Sequence, residues 1–294
     1  MDKDIKSDAF DYSDYYDHDT AILKKFRDDY YRIVNFKVLR KRTKNTETEQ
    51  GCEVGSNAST SKKPKASIKK RKKIMGANEG KMYASLARSK ARIREIAICN
   101  DWEYFITMTI DGSKHSRDNL GAFRKKLSKW LNNYNSNKNT NIKYLLIPET
   151  HKDRTNWHLH GLLMGLPCNH LTKFSLDDNI PHKMRKLIQQ GRTIYNWTAY
   201  AEAFGWVSAE RINSLEGVAH YITKYITKRL GEQIELNNHV YFCSKGLKRA
   251  VELQRGRLND RFDADYVNEH LAIKTVRGTA DEALGYFEKV DDST

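Results

Sequence analysis

The pattern of apolar and polar residues predicts strands and helices between about residues 87 and 243. Stretches rich in β-branched and aromatic residues predict strands. These stretches are 103–110, 143–147, 157–164, 205–212 and 239–243. The first ordered element is predicted to be a basic helix that begins near Met82, and residues 177–200 are predicted to be mixed and mainly helical.

Two further segments carry apolar residues at helical spacing and predict helices. The first covers residues 117–134, and its apolar stripe consists of Leu120, Phe123, Leu127, Trp130, Leu131 and Tyr134. Lysines occupy much of its remaining surface. The second covers residues 214–230, where Asn213 is placed to cap the start and Gly231 follows the end.

The order of these elements predicts the α+β class. Strands and helices alternate irregularly, and the short polar link at 151–156 predicts a hairpin between two of the strands. Hairpins pair their strands antiparallel. We therefore expect a central antiparallel sheet flanked by helices.

The N-terminal region has a different composition. Its first twenty residues are acidic and rich in tyrosine, and residues 21–39 are apolar enough to predict one short helix. Residues 41–81 are polar and repetitive, so we expect disorder there. Lysine-rich runs at 62–65 and 69–73 fit either a solvated linker or a sliding contact with the DNA backbone.

These differences predict three regions along the chain. Residues 1–85 form a largely disordered tail, acidic and then basic; residues 86–250 form the main domain; and residues 251–294 form a C-terminal extension. The net charge of +15 and the pI near 9.5 favour a polyanionic partner. No apolar run is long enough to span a membrane, and four scattered cysteines suit a reducing cytosol.

A His-Leu-His sequence is the first candidate for chemistry. His158 and His160 would point to the same face of a strand, where two imidazoles can grip one metal ion. A hairpin would bring Glu149 beside them, although His151 is close enough in sequence to be the third ligand instead. A pair of surface histidines without a metal is the alternative. A two-histidine, one-carboxylate set also suits iron in an oxygenase, but that leaves the basic charge unexplained.

The second candidate is a repeated tyrosine-lysine unit in the helix predicted over residues 214–230. On a continuous helix its four members fall within about 100° of one face. They are Tyr221, Lys224, Tyr225 and Lys228. A phenol with a pKa near 10 is a poor nucleophile at neutral pH unless a cation or a metal stabilises its phenolate. The alternative is an amphipathic helix with tyrosines at its solvent border.

These motifs, in this order, resemble those of the HUH endonucleases, which are named for a His-hydrophobic-His sequence. The segments that carry the resemblance are Phe105-Ile-Thr-Met-Thr, Glu149 with His158-Leu-His-Gly-Leu, and Tyr221-Ile-Thr-Lys-Tyr. Within that superfamily the chain is similar to the two-tyrosine replication initiators of small phages and rolling-circle plasmids. Residues 241–249 resemble a stretch that follows the third motif in one group of these proteins.

The resemblance implies a fold related to the RNA-recognition (ferredoxin-like) fold and a transesterification on single-stranded DNA. Tyr221 and Tyr225 would be the nucleophiles, used in alternation. Each would form a 5′-phosphotyrosine and free a 3′-hydroxyl that primes rolling-circle synthesis. Lys224 would stabilise phosphate or phenolate charge, and Lys228 would do the same for Tyr225.

The resemblance also implies a cofactor and partners. Mg²⁺ or Mn²⁺ on His158, His160 and Glu149 would polarise the scissile phosphate. The partners would be single-stranded origin DNA, a host helicase and the replication polymerase, in the bacterial cytosol; the sequence contains no G-x-x-x-x-G-K-[ST] loop. The lysines predicted to contact DNA are Lys125, Lys126, Lys129 and Lys228.

Three related hypotheses compete with this one. A conjugative relaxase uses similar chemistry, but its tyrosines usually precede its histidines. A tyrosine transposase has the same motif order, although it is typically shorter and carries one tyrosine. A non-catalytic protein that binds an origin without cutting it is the third alternative.

Overall fold

The computed structural model describes residues 20–37, 79–150, 156–226, 240–268 and 271–288, and of residues 79–84 only the backbone. Two antiparallel sheets and a set of helices make up this part of the chain. The larger sheet has seven strands and the smaller has five. The predicted α+β class, with an antiparallel sheet flanked by helices, is therefore confirmed.

In chain order the strands are β1 (Thr20–Arg27), β2 (Tyr30–Phe36), β3 (Tyr104–Thr109), β4 (Lys143–Thr150), β5 (Trp157–Met164), β6 (Thr172–Lys173), β7 (Ile194–Asn196), β8 (Val207–Arg211), β9 (Phe242–Cys243), β10 (Val251–Gly256), β11 (Tyr266–Val267) and β12 (Leu271–Arg277). The helices are α1 (Glu79–Cys99), α2 (Leu120–Lys138), α3 (His182–Gln189), α4 (Thr198–Ala203), α5 (Leu215–Thr223) and α6 (Ala280–Leu284). The larger sheet has the order β6-β7-β8-β3-β5-β4-β9, and the smaller has β10-β1-β2-β12-β11. None of the helices described is long and apolar enough to cross a membrane.

Strict alternation along β3 and β5 gives the larger sheet one fully apolar face. Tyr104, Ile106 and Met108 are buried, whereas the three residues that alternate with them in β3 are only partly buried. Leu159 is likewise buried between two partly buried histidines of β5. Because successive side chains of a strand point to opposite faces, the second face remains available for polar side chains.

Most of the predicted elements of the larger sheet are present. The strands predicted at 103–110, 143–147, 157–164 and 205–212 appear as β3, β4, β5 and β8, and the strand predicted at 239–243 is shortened to β9. The stretch 177–200, predicted to be mainly helical, contains α3 and the start of α4 with β7 between them.

The prediction of one short helix over residues 21–39 is wrong, because this stretch forms the hairpin of β1 and β2. Ile22 pairs with Val34, and the buried pair Leu23 and Ile33 points to the other face. The hairpin lies between β10 and β12, which come from the opposite end of the sequence. Those distant strands supply the ladder partners that stabilise an extended conformation here.

The predicted regions keep their standing as predictions. The boundaries at residues 85 and 250 are not tested by the smaller sheet, although its strands come from both sides of the main domain. The stretch 41–81, predicted to be disordered, lies outside the described residues except for its last three positions, which begin α1.

Helix α2 covers the apolar face of the larger sheet. The residues that it buries are Phe123, Leu127 and Leu131. The guanidinium of Arg124 lies 5.1 Å from the centre of the Phe242 ring, and Phe242 is paired with Leu146. Leu146 points away from the face that carries His160, since His160 is paired with its neighbour Ile147. Helix α2 and the histidines are therefore on opposite faces of the sheet.

A buried asparagine joins the end of α1 to the segment that precedes β10. Asn100 is 2% exposed, and its Nδ2 donates to the carbonyl oxygens of Ile96 at 2.8 Å and Lys248 at 3.0 Å. Its Oδ1 accepts the Lys248 N–H at 2.8 Å. Arg27, at the end of β1, donates Nη2 to the Asn100 carbonyl oxygen at 2.9 Å. Three distant parts of the chain thus meet at one residue.

We expect Asn100→Ala to lower the free energy of unfolding by about 2–3 kcal/mol, because it leaves buried donor and acceptor groups unsatisfied. Urea denaturation would measure the loss from the shift in midpoint. The matched control is Asn137→Ala on the exposed surface of α2, which should change the stability by no more than about 0.5 kcal/mol. Equal midpoints for the two variants would contradict the role assigned to Asn100.

Candidate active site

The two histidines of the candidate site lie on one face of β5, at the centre of the larger sheet. His158 is paired with Glu149 of β4 and with Thr109 of β3, and His160 is paired with Thr107 of β3. Paired residues of antiparallel strands point to the same face. The three candidate metal ligands therefore share that face, as the hairpin predicted from the sequence requires.

Both ring nitrogens of His160 have neighbours that fix the orientation of the imidazole. Nε2 lies 2.8 Å from Glu149 Oε2, and Nδ1 lies 3.1 Å from Thr107 Oγ1. The side chain is only 13% exposed. An imidazole held at both nitrogens keeps one ring orientation, which is typical of histidines that act in a site.

The sequence analysis missed Thr107 as a partner of His160. Alternation along β3 indicates which of its residues share a face, but not which face meets the histidines. That information lies in the register between β3 and β5, two strands that are 47 residues apart from the end of one to the start of the next. Phe105, on the same face, is also part of the site, with its ring centre 6.4 Å from that of His160.

Two tyrosines from the end of α5 lie over this face. The Tyr225 ring stacks on the His160 ring, with 4.1 Å between ring centres and 10° between planes. The Tyr225 hydroxyl donates a hydrogen bond to the Tyr221 hydroxyl at 3.0 Å. Tyr221 makes an edge contact with Phe105 at 5.3 Å and remains 44% exposed. The two phenols and the histidine-carboxylate pair thus form one cluster.

Helix α5 is shorter than the predicted helix over 214–230. Its N-cap is Ser214, whose Oγ accepts the Gly217 N–H at 3.1 Å, so the prediction of Asn213 as the cap is wrong by one residue. The helix ends at Thr223, and the next turn is tightened by a hydrogen bond from the Tyr225 N–H to the Ile222 carbonyl oxygen at 3.3 Å. The predicted end at Gly231 lies outside the described residues.

Burial raises the pKa of Tyr225 well above its usual value, and the hydrogen bond to Tyr221 and the charge of Glu149 add to this effect. Each of these causes favours the neutral phenol. Tyr225 therefore keeps its proton at neutral pH in the arrangement described. A phenol must lose that proton to act as a nucleophile, so a nearby cation is needed to stabilise the phenolate.

The candidate lysines differ in position. The Lys224 ammonium lies 5.4 Å from the centre of the Tyr221 ring, at the distance of a cation–π contact. Lys228 lies outside the described residues. The other three are exposed on α2 and are not brought to the histidine face, because α2 covers the opposite face of the sheet; they are Lys125, Lys126 and Lys129.

In the described part of the chain, no three histidine, cysteine, aspartate or glutamate side chains are arranged to hold a metal ion. The donor types nevertheless fit a divalent ion. Two donors bound at right angles to such an ion lie about 3 Å apart, close to the 2.8 Å between Glu149 and His160. His158 completes the set only by turning towards that pair, since its ring centre is 6.3 Å from that of His160. The alternative ligand His151 lies outside the described residues.

Comparisons with known proteins place the candidate site inside one matched segment. Residues 103–230 match the family model of the replication-associated protein ORF2. No curated protein and no solved structure matches the chain. The matched segment runs from the residue before β3 to beyond α5 and contains all of the candidate catalytic and metal-binding residues. The similarity of this segment to replication-associated proteins supports a replication initiator.

Proposed function

We propose that this chain nicks and rejoins single-stranded DNA at a rolling-circle origin through a 5′-phosphotyrosine intermediate. The observation that carries the proposal is the contact of two phenols with a histidine-carboxylate pair. Tyr225 stacks on His160 at 4.1 Å and bonds to Tyr221 at 3.0 Å, and His160 lies 2.8 Å from Glu149. Two potential nucleophiles beside one charged pair fit an enzyme that cuts twice.

The proposed reaction is a transesterification at phosphorus. The phenol oxygen of one tyrosine attacks, a tyrosine O–P bond forms, and the bond from phosphorus to the 3′-oxygen breaks. The phenol proton is lost and the 3′-oxygen leaves as a hydroxyl that can prime synthesis. The number of phosphodiester bonds is conserved, so attack by a 3′-hydroxyl on the phosphotyrosine rejoins the strand without ATP.

Residues of this chain would divide the work as follows. Tyr221 and Tyr225 are the proposed nucleophiles, and Lys224 is placed to stabilise phosphate or phenolate charge beside Tyr221. Thr107 and Glu149 hold the His160 ring on which Tyr225 stacks. Tyr221 is the more exposed of the two tyrosines, so an incoming strand can reach it without rearrangement of the core.

The proposed cofactor is Mg²⁺ or Mn²⁺. His160 and Glu149 would hold it, with His158 as the third ligand. When bound there, such an ion supplies Lewis-acid polarisation of the scissile phosphate. The proposed partners are single-stranded origin DNA, a host helicase and the replication polymerase in the bacterial cytosol.

A covalent adduct on a denaturing gel tests the proposal. The protein is incubated with a labelled pool of single-stranded oligonucleotides and Mn²⁺. We expect a slowly migrating labelled band that disappears after protease treatment and does not form in EDTA, because the attack on phosphorus needs charge neutralisation. Adding excess Mn²⁺ to the EDTA sample should restore the band, which separates metal removal from irreversible loss of the fold.

The contrary outcome is also informative. If the protein binds the pool tightly but forms no adduct with any divalent ion or with the DNA of its own replicon, the nuclease proposal fails. The non-catalytic origin-binding hypothesis would then replace it, because it predicts binding without a covalent bond.

A further inference from the structure

A basic groove lies between α1 and the smaller sheet. It has a volume of about 300 Å³. Its lining residues are Ile22, Lys24, Phe26, Arg32, Val34, Phe36, Arg88, Ala91, Arg92 and Glu95. All of them precede residue 103, so the groove lies outside the segment that matches the replication-associated protein family.

The strand register explains why these side chains meet. Lys24 is paired with Arg32, and Ile22 is paired with Val34, so all four point to one face of the β1–β2 hairpin. Opposite them, α1 presents residues 88, 91, 92 and 95, which fall on one side of a helix because they are three, four and seven positions apart. The groove is thus built by two regular elements rather than by a loop.

Positive charge dominates the rim. Four lining side chains are cationic and one is a carboxylate. That carboxylate, Glu95, is shared between Arg92 at 3.4 Å and Arg249 at 3.8 Å. Its single negative charge therefore leaves a positive excess, and the groove favours an anionic ligand.

The floor is apolar and partly aromatic. Ile22 and Phe36 are 3% exposed, and Phe26 and Val34 are partly buried beside them. The Phe26 ring is fixed by an edge contact with Tyr30 at 5.5 Å. Cations that track phosphates, together with a fixed aromatic ring for bases, are the two features that single-stranded nucleic acid sites combine.

We propose that this groove binds single-stranded DNA at a second site, apart from the tyrosines. Its volume is at the lower end of the range for ligand sites, which suits one or two nucleotides of an unpaired strand and excludes a duplex. Helix α1 also packs against α5, which carries Tyr221. A strand held in the groove would therefore continue along α1 towards the proposed nicking site.

Binding of fluorescent oligo(dT) in EDTA tests this inference without any cleavage. Arg88→Gln combined with Arg92→Gln removes two charges from the exposed side of α1. We expect about tenfold weaker binding, and the slope of log K against log salt should fall in magnitude by about 1.4, since each phosphate contact on a single strand contributes about 0.7. Phe26→Leu, which keeps the apolar volume, should also weaken binding about tenfold by removing a stacking surface.

The matched control is Lys183→Gln combined with Lys186→Gln, which removes the same charge from exposed positions of α3. A control that weakens binding as much as the groove variant, or a groove variant with an unchanged salt slope, would overturn the inference. Unchanged binding by Phe26→Leu would overturn the role of the floor. The assay is independent of the proposed nuclease function, because a protein that forms no adduct with DNA could still bind oligo(dT) through the groove.

Discussion

Replacing both Tyr221 and Tyr225 with phenylalanine should reduce covalent attachment to DNA by at least about 1,000-fold, since no phenol remains beside His160 to attack phosphorus. Each single variant keeps one phenol, so an adduct should still form in a single turnover. Peptide mapping of that adduct should locate the nucleotide on the tyrosine that remains. The adduct yield on a denaturing gel measures the effect.

The control for this experiment is Tyr266→Phe, which removes the hydroxyl of a tyrosine that is 55% exposed on β11 of the smaller sheet. It should form the adduct at the normal rate. Oligonucleotide affinity should be nearly unchanged in the double variant, because phenylalanine retains the rings that stack on His160 and contact Phe105. A double variant that still forms a protease-sensitive adduct would show that neither tyrosine is the nucleophile.

Gly161→Ala is expected to have the largest effect on the fold. A Cβ at this position would lie 2.2 Å from the Leu145 carbonyl oxygen and 2.6 Å from a methyl carbon of Leu146. Gly161 is the residue after His160 in the central strand, and it is paired with Leu146 across the hairpin. A methyl group there must push β4 and β5 apart. We expect a loss of about 3 kcal/mol in the free energy of unfolding.

The matched control is Gly121→Ala in the first turn of α2, where the nearest atom to an added Cβ is 3.7 Å away. That change should raise the stability by up to about 1 kcal/mol, because alanine has the higher helix propensity. Urea denaturation followed by circular dichroism compares the two variants. If Gly161→Ala unfolded at the wild-type urea concentration, β4 and β5 could not approach as closely as described. Adduct formation by this variant should also decrease, since the same hairpin carries His160 and Glu149.

The parts of the fold that could be predicted are those determined by local patterns. Alternation in β3 and the short link between β4 and β5 are visible within a few residues, so these strands and the pairing of Glu149 with His158 followed from the sequence. The hairpin at β1 and β2 did not, because its extended conformation depends on β10 and β12, more than 200 residues away. A short apolar stretch without those partners fits a helix equally well.

The candidate site was predictable in composition but not in geometry. The sequence indicated the histidines and tyrosines, yet the apolar spacing of Ile222 and Ile226 favoured one continuous helix through Tyr225. In the structure the helix ends at Thr223, and the next turn carries the Tyr225 ring onto His160. Similarly, the lysines of α2 form a basic surface as expected, but only the tertiary structure reveals that this surface is on the face of the sheet opposite the histidines.

The pairing of β1 and β2 with β10 and β12 has a consequence for the order of events during protein synthesis. A ribosome releases the N-terminal hairpin more than 200 residues before it releases β12, so the hairpin must wait for both of its neighbours. Until then the backbone edges of β1 and β2 are exposed, and such edges can pair with other chains. Closure of the smaller sheet is therefore a late and slow step in folding, since it joins residues of very high sequence separation. The larger sheet, whose strands lie within residues 104–243, can assemble first.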